Sequence, residues 1–198
     1  MQGLKHVITI HQQQLHLSYY PNFFNTNEAH RIYEFLNHQT EWKRYPIRLF
    51  GRDVMQPRCI AYYADADKPY TYSNLKLNPK PWNQQLKYLL NCCNRVYQSN
   101  WNAALLNRYN NGLDSMGWHS DDEPELGNDP VIASFSFGIT RNIKFRLKSN
   151  HKTVYNLPLE HGSLLIMHGG TQLYWQHALP KAKSITAARI NITFRSIV

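Results

Sequence analysis

The second half of the chain is a succession of short segments rich in β-branched and aromatic residues, separated by turn-forming dipeptides. Such segments, interrupted by glycine, asparagine, aspartate or proline, are typical of β-strands. The predicted strands span residues 103–109, 131–137, 143–147, 153–157, 163–167 and 189–196. Several short strands at nearly even spacing favour a sandwich or a barrel. We therefore expect a mainly β fold of the α+β class, with a double-stranded β-helix, or jelly-roll, core.

The first half of the chain contains two patterns typical of helices. Asn25 is an N-cap candidate with Glu28 three positions later, and apolar residues follow at helical spacing to about residue 39. A second pattern begins at Pro81, which suits a first helical turn, and continues to about residue 98. An amphipathic helix must bury its apolar side, so we expect both helices to flank the jelly roll.

Length and composition indicate one folded domain. The chain has 198 residues, of which 42% are hydrophobic and 18% charged, as in ordinary globular proteins. It contains no repeat or low-complexity tract that would mark a boundary. We expect a single domain over residues 1–198, with an N-terminal extension at 1–100 and the jelly-roll core at 101–198.

The chain is basic, with 22 lysines and arginines, 13 acidic residues and a formal net charge of +9. This charge predicts attraction to polyanions, with nucleic acid first and an anionic membrane second. Charge alone does not decide, because many basic proteins bind no nucleic acid.

Two further features bear on the cellular compartment. No apolar run approaches the ~18 residues of a membrane span, and the N-terminus lacks the apolar region of a secretory signal. Cys59, Cys92 and Cys93 form an odd set with two neighbours, which predicts free thiols in a reducing compartment. We expect a soluble protein of the cell interior without a membrane partner.

Residues 118–122 contain a His-x-Asp pattern. In extended chain, positions i and i+2 point to the same side, so His119 and Asp121 can reach one ion. His177 follows a predicted strand and is the candidate third ligand. Two histidines and one carboxylate leave open positions that suit Fe(II) with a bidentate cosubstrate and O2. The alternative is an ordinary polar loop, since His-x-Asp is a common pattern.

The last predicted strand alternates between polar and apolar side chains. Its polar face consists of Arg189, Asn191, Thr193 and Arg195. Two inward guanidinium groups need anionic partners, and the arginine fork matches a carboxylate. Asn107 and Tyr109 share one side of the strand at 103–109 and add an amide and a phenol. The pattern favours a dicarboxylate site, although the arginines of a basic protein can also lie on an exposed edge.

Five elements of the second half, in order and spacing, resemble the AlkB family of Fe(II)- and 2-oxoglutarate-dependent nucleic-acid dealkylases. They are residues 107–109, residues 118–123, residues 133–138, the turn leading to His177, and residues 189–195. The first half is similar to the DNA-repair subgroup of the family. Its matching segments are Phe50-Gly51-Arg52, Gln56-Pro57-Arg58 and Tyr70-Thr71-Tyr72-Ser73.

The resemblance implies a ligand set and a pocket. It implies that His119, Asp121 and His177 bind iron. The implied 2-oxoglutarate pocket consists of Asn107, Tyr109, Arg189, Asn191, Thr193 and Arg195. Within that pocket, Arg189 would bind the distal carboxylate and Arg195 the carboxylate beside the metal.

The resemblance also implies an activity, namely oxidative demethylation of N1-methyladenine and N3-methylcytosine in DNA repair. Fe(II), 2-oxoglutarate and O2 would be used, and formaldehyde, succinate and CO2 released. The expected partner is alkylated single- or double-stranded DNA, and possible RNA substrates stay open. Trp118 resembles members of the family that favour single strands. We expect a monomer in the cytoplasm or on the nucleoid, or in the nucleus of a eukaryote.

A methylated base must be single-stranded or flipped out to reach a buried metal. We expect Tyr72 and the His119 ring to hold the base between them, with Asp122 and Glu123 near its cationic edge. By resemblance, a nucleotide-recognition lid in the N-terminal extension contains Phe50, Gly51, Arg52, Arg58 and Tyr70, the last three along the nucleic-acid groove. The alternative is that Tyr70 is an ordinary strand residue and that the two arginines are solvated surface residues. Phe50 would fill the gap left by the base, unless it is a core residue.

Two other functions fit part of the pattern. One is a basic nucleic-acid-binding module without catalysis, whose aromatic side chains stack on single-stranded bases. The other is a dioxygenase that acts on protein or RNA. The first leaves the combination of metal-ligand and arginine patterns unexplained.

Overall fold

The computed structural model describes residues 6–49, 52–72 and 75–198. Strands dominate this part of the chain. They are β1 (Ile8–Gln12), β2 (Leu15–Tyr20), β3 (Pro46–Leu49), β4 (Arg52–Met55), β5 (Cys59–Ala64), β6 (Tyr70–Tyr72), β7 (Leu75–Leu77), β8 (Ala103–Tyr109), β9 (Met116–His119), β10 (Ile132–Gly138), β11 (Arg141–Leu147), β12 (Asn150–Leu159), β13 (Ser163–Met167), β14 (Trp175–Leu179) and β15 (Arg189–Arg195). The helices are α1 (Thr26–Gln39), α2 (Gln84–Asn94) and α3 (Thr171–Tyr174), with a 3-10 turn at Pro124–Leu126.

Most strands belong to two antiparallel sheets. The larger sheet has the order β1-β2-β13-β10-β15-β8-β5, and the smaller has the order β12-β11-β14-β9. The inner faces of the sheets share an apolar cluster that includes Leu165 from the larger sheet and Phe145 and Trp175 from the smaller. The expected mainly β jelly roll is therefore confirmed.

Strand β15 lies between β10 and β8, in the interior of the larger sheet. Ile190, Ile192 and Phe194 are fully buried in an apolar cluster with α1 and α2. Burial of one large apolar side chain contributes roughly 1.5–3 kcal/mol, so this cluster determines which way the strand faces. The polar side chains of β15 consequently point into the space between the sheets.

Helices α1 and α2 cover the outer face of the larger sheet. Helix α1 begins where predicted, and the Asn25 side chain accepts a hydrogen bond from the Glu28 N–H at 2.9 Å. Helix α2 is shorter than the predicted 81–98. Asn83 caps it by accepting from the Leu86 N–H at 2.8 Å, so the helix begins three residues later than expected.

Several strands are absent from the sequence-based prediction. Strands β1, β2 and β5 come from the first half of the chain and complete both edges of the larger sheet. Strands β9 and β14, at one edge of the smaller sheet, were not predicted either. Strand β12 extends well beyond the predicted 153–157, whereas the other predicted strands agree within two residues at each end.

Cys59, Cys92 and Cys93 form no disulfide bond in the described part of the chain, as predicted. Within the described ranges, the structure contains no helix with the length and apolar character needed to cross a membrane.

Candidate active site

His119 and His177 are direct register partners on the antiparallel strands β9 and β14. Their ring centroids lie 4.2 Å apart. His119 Nδ1 lies 2.9 Å from the Gly117 carbonyl oxygen. Because a carbonyl only accepts, Nδ1 carries the hydrogen and Nε2 keeps its lone pair. That Nε2 lies 3.8 Å from Oδ1 of Asp121.

Asp121 follows the end of β9 and is completely buried. Its Oδ2 accepts hydrogen bonds from Arg195 Nη2 at 2.9 Å and Nε at 3.3 Å. Burial alone would raise the pKa of the carboxyl group, but Arg195 and the nearby histidines lower the pKa to about 2. Asp121 is therefore ionised at neutral pH.

The two histidines are uncharged at neutral pH. Burial lowers the pKa of His177 to about 3, and the neighbouring His119 ring lowers it further. Burial also lowers the pKa of His119. Neutral imidazole and carboxylate are the forms that bind a metal ion.

The three side chains fit a metal ion. One candidate ligand atom from each lies within 4.8 Å of the others. Asp121 Oδ1 and His177 Nδ1 are buried without a hydrogen-bond partner among the described residues. Buried polar atoms normally have partners, so these two are placed for a ligand. Two histidines and one carboxylate on one face suit Fe(II).

A cavity of about 60 Å³ lies between the sheets, next to this group. Its walls include every residue predicted for the cosubstrate pocket, namely Asn107, Tyr109, Arg189, Asn191, Thr193 and Arg195. In the register of β15 and β8, Arg189 lies opposite Tyr109 and Asn191 opposite Asn107. The exposed-edge alternative is excluded, because Arg189 is only 2% exposed.

Arg189 is a buried cation at one end of the cavity. It donates to Ser136 Oγ at 2.8 Å, and its guanidinium lies 5.5 Å from the centroid of the Tyr109 ring. Burial lowers the pKa of Arg189 to about 10, so the group stays charged at neutral pH. Its Nε has no hydrogen-bond partner, and it forms no ion pair within the described part of the chain. An anion in the cavity would satisfy it.

The residues predicted to bind the substrate differ in how deeply they are buried. Tyr70 is buried, with its ring 5.7 Å from the Arg195 guanidinium. Glu123 is half-buried, and burial and then Asp121 raise its pKa. Asp122 is exposed and pairs with Lys148 at 3.3 Å.

Arg58 is buried against the cosubstrate wall. Its Nε donates to Asn107 Oδ1 at 2.7 Å. The predictions for Phe50 and Gly51 lie outside the described residues. Arg52 begins β4 and Tyr72 ends β6. For these two residues the structure describes the backbone but not the side chain.

The sequence-based interpretation missed two residues behind the metal-ligand group. Gln172 Oε1 accepts a hydrogen bond from the Asp121 N–H at 2.9 Å, and Ser120 Oγ donates to the Trp175 carbonyl at 3.0 Å. These bonds join the segment that carries the first two candidate ligands to the segment that carries the third. No local pattern in the sequence indicates them.

A jelly roll with a His-Asp-His group beside a buried arginine pocket defines the class of the 2-oxoglutarate- and Fe(II)-dependent oxygenases. Residues 16–195 match the model of the 2OG-Fe(II) oxygenase superfamily. Together with the relatives described next, this match shows that the chain belongs to the AlkB family of that superfamily. Membership implies Fe(II), 2-oxoglutarate and O2 as cofactor and cosubstrates.

Two curated human proteins illustrate the similarity. The chain is 42% identical over 187 residues to "Alpha-ketoglutarate-dependent dioxygenase alkB homolog 3" from Homo sapiens, covering 90% of this chain and 65% of that protein. It is 39% identical over 189 residues to "DNA oxidative demethylase ALKBH2" from Homo sapiens, covering 90% of this chain and 72% of that protein. The chain thus spans somewhat less than two thirds of the first relative.

A solved structure supports the fold. The chain superposes on "The structure of OsALKBH1" with a TM-score of 0.65 and 14% sequence identity, over 96% of this chain and 99% of that one.

Proposed function

We propose that this protein is a DNA oxidative demethylase that removes methyl groups from N1-methyladenine and N3-methylcytosine. It uses Fe(II), O2 and 2-oxoglutarate and releases formaldehyde, succinate and CO2. The observation that carries the proposal is the group of His119, Asp121 and His177 beside a buried cavity lined by arginine. The similarity to a relative named a DNA oxidative demethylase supports the choice of substrate.

His119, Asp121 and His177 would hold the metal. Iron bound there supplies the oxidation of the methyl C–H bond, coupled to conversion of 2-oxoglutarate to succinate and CO2. Arg195 keeps Asp121 ionised by its two hydrogen bonds, and burial keeps both histidines neutral. A hydroxymethyl group on a ring nitrogen then separates as formaldehyde.

Arg189 and Arg195 would bind the two carboxylates of 2-oxoglutarate. Arg189 takes the distal carboxylate, because it lies at the Tyr109 end of the cavity. Arg195 takes the carboxylate beside the metal, because it already contacts Asp121. The rest of the polar wall consists of Asn107, Tyr109, Asn191 and Thr193.

A methylated, cationic base would be recognised at the open side of the metal group. Tyr72 and the His119 ring are proposed to cover its two faces, while Glu123 and Asp122 attract its positive charge. The proposed contacts to the nucleic-acid strand come from Phe50, Gly51 and Arg52. Arg58 and Tyr70 are buried, so they would support the lid from its inner side. The contact of Arg58 with Asn107 would link that lid to the cosubstrate wall.

The proposed partner is alkylated DNA, single- or double-stranded, with RNA as a second polymer to test. The net charge of +9 supports a polyanionic partner. We propose a monomeric enzyme of the nucleoid, cytoplasm or nucleus. Residues 1–198 would act as one dioxygenase domain, with the recognition lid in 1–100 and most of the catalytic core in 101–198. Strands β1, β2 and β5 add the edges of the larger sheet to that core.

The test is formaldehyde release from three matched substrates: a DNA oligonucleotide with one N1-methyladenine, the same sequence as RNA, and a methylated peptide. We expect turnover of the DNA that requires both Fe(II) and 2-oxoglutarate and is lost in His177→Ala. Turnover of the peptide alone, or succinate formation with none of the three demethylated, would disprove the substrate assignment. Binding of the DNA without iron-dependent turnover would favour the non-catalytic module.

A further inference from the structure

Gln172 lies on α3, behind the metal-ligand group, and is 1% exposed. Its Oε1 accepts a hydrogen bond from the Asp121 N–H at 2.9 Å. Its Nε2 lies 3.6 Å from Met167 Sδ. A thioether only accepts, so this contact sets the orientation of the amide, with the oxygen toward Asp121. The side chain is thus held in one orientation from both ends.

Helix α3 and the residue after it are fixed to β2 and to the turn that precedes β2. The Thr171 hydroxyl donates to the His16 carbonyl at 3.1 Å and accepts from the His16 N–H at 3.2 Å. Just after the helix, the Trp175 indole N–H donates to the Gln13 carbonyl at 2.8 Å. One anchor on this four-residue helix and one just after it leave Gln172 little freedom to follow a moving Asp121.

Asp121 is therefore held at two points. Arg195 binds its side chain through Oδ2, and Gln172 binds its main chain. The remaining oxygen, Oδ1, is buried and has no hydrogen-bond partner in the described part of the chain. This division keeps the main chain fixed while one carboxylate oxygen stays available for a ligand.

We propose that Gln172 is a positioning residue for the metal site. It holds the Asp121 main chain so that Oδ1 stays within reach of the same ion as His119 and His177. The inference rests on the proposed function only in that these three residues bind the metal. Partners of metal ligands commonly change metal affinity by about 10–100-fold when removed.

The test compares Gln172→Met, Gln172→Asn and Gln172→Glu with the parent, using Mn(II) alone as the probe. The dissociation constant is measured by the electron paramagnetic resonance of free Mn(II). Methionine has similar length but no amide, asparagine is too short to reach, and glutamate keeps an acceptor at the right distance. We expect about 10–100-fold weaker binding for the first two, and binding within about threefold of the parent for Gln172→Glu.

Gln176 offers a matched control. It lies on β14 next to His177, but its Oε1 accepts from Arg146 Nε at 2.9 Å, away from Asp121. Gln176→Met should bind Mn(II) like the parent. Circular dichroism of each variant establishes that the fold is retained, since a purely structural role would lower the melting temperature without changing the Mn(II) affinity.

Parent-like Mn(II) affinity in a folded Gln172→Met would overturn the proposal. If that variant does not fold, equal affinities in Gln172→Asn and Gln172→Glu overturn it instead. Failure of the parent to bind Mn(II) would show that the assignment of His119, Asp121 and His177 as ligands is wrong. Mn(II) binding without demethylation by the iron-loaded protein would show that the proposed substrate is wrong. Each failure is therefore distinguishable.

Discussion

Arg195 and Asp121 form an ion pair at 2.9 Å, with only 6% and 1% of their side chains exposed. Such a pair is costly to desolvate, and it becomes strongly unfavourable when one partner is removed. Here the pair joins the segment that follows β9 to β15, an interior strand of the larger sheet. The same carboxylate thus belongs to the candidate metal site and to the contact between the sheets.

Asp121→Ala should bind no Fe(II) at concentrations that saturate the parent, and it should not turn over. It should also destabilise the protein by about 3–5 kcal/mol, because Arg195 is left buried without its partner. Iron content after anaerobic loading and urea unfolding measure the two effects. The exposed neighbour provides the control, since Asp122→Ala should load iron normally. Equal iron occupancy in Asp121→Ala and the parent would exclude Asp121 as a ligand.

Arg189→Gln should weaken the binding of 2-oxoglutarate by about 10–150-fold while leaving the metal affinity unchanged. A charge-assisted hydrogen bond contributes about 1.5–3 kcal/mol, and glutamine cannot supply the charge. Calorimetric titration of the Mn(II)-loaded protein with 2-oxoglutarate measures the change. Arg146→Gln, outside the cavity, is the matched control. An unchanged affinity in Arg189→Gln would remove Arg189 from the pocket.

Gly112→Ala should destabilise the protein and weaken 2-oxoglutarate binding. A Cβ atom at Gly112 would lie 1.8 Å from the Ala182 carbonyl oxygen, where the loop that follows β8 contacts the loop that precedes β15. The backbone of both loops must therefore move. Gly117→Ala is the control, because its Cβ would meet nothing within 4 Å. The melting temperatures of the two variants are measured with and without 2-oxoglutarate. A Gly112→Ala protein that melts like the parent under both conditions would contradict the close contact.

The stability of the metal-free protein should fall in acid, in part through His168. Burial lowers the pKa of this histidine below 6.5, and the neighbouring His16 lowers it further. Protonation therefore favours the unfolded chain. The contribution of His168 is full above pH 6.5 and is lost as the pH falls toward the folded pKa, by less than about 1.4 kcal/mol for each pH unit.

His168→Gln isolates that contribution. Glutamine retains a group that can hydrogen-bond to Ser18, which lies 2.8 Å from His168 Nε2. Urea unfolding at pH 7.5 and pH 5.5 should show a smaller loss of stability in the variant than in the parent. The same loss in both proteins would mean that His168 does not contribute.

The sequence predicted the elements whose pattern is local. In β15, alternation separates Ile192 from Arg189, and both faces are as expected. The missed strand β2 also alternates between buried and half-buried positions, so its period of two was a usable signal. Strand β9 is only four residues long and includes Gly117, which weakens any strand pattern.

The contacts that complete the site could not be predicted from local patterns. Gln172 meets Asp121 through a hydrogen bond between residues far apart in the chain, and Arg58 meets Asn107 in the same way. Their partners depend on how the strands are ordered in the sheets. The resemblance of the motifs indicated which residues gather, but not which side chains hold them there.

The pairing of His119 with His177 in the register of β9 and β14 also affects the resistance of the protein to proteolysis. Strand β9 is the outermost strand of the smaller sheet, so its pairing with β14 is exposed to fraying on one side. An ion bound by both rings would join β9 to β14. Because the site exists only in the folded chain, the free energy of metal binding would add to the stability of the fold. Metal supply would then control both the resistance of the folded protein to proteolysis and its catalytic rate.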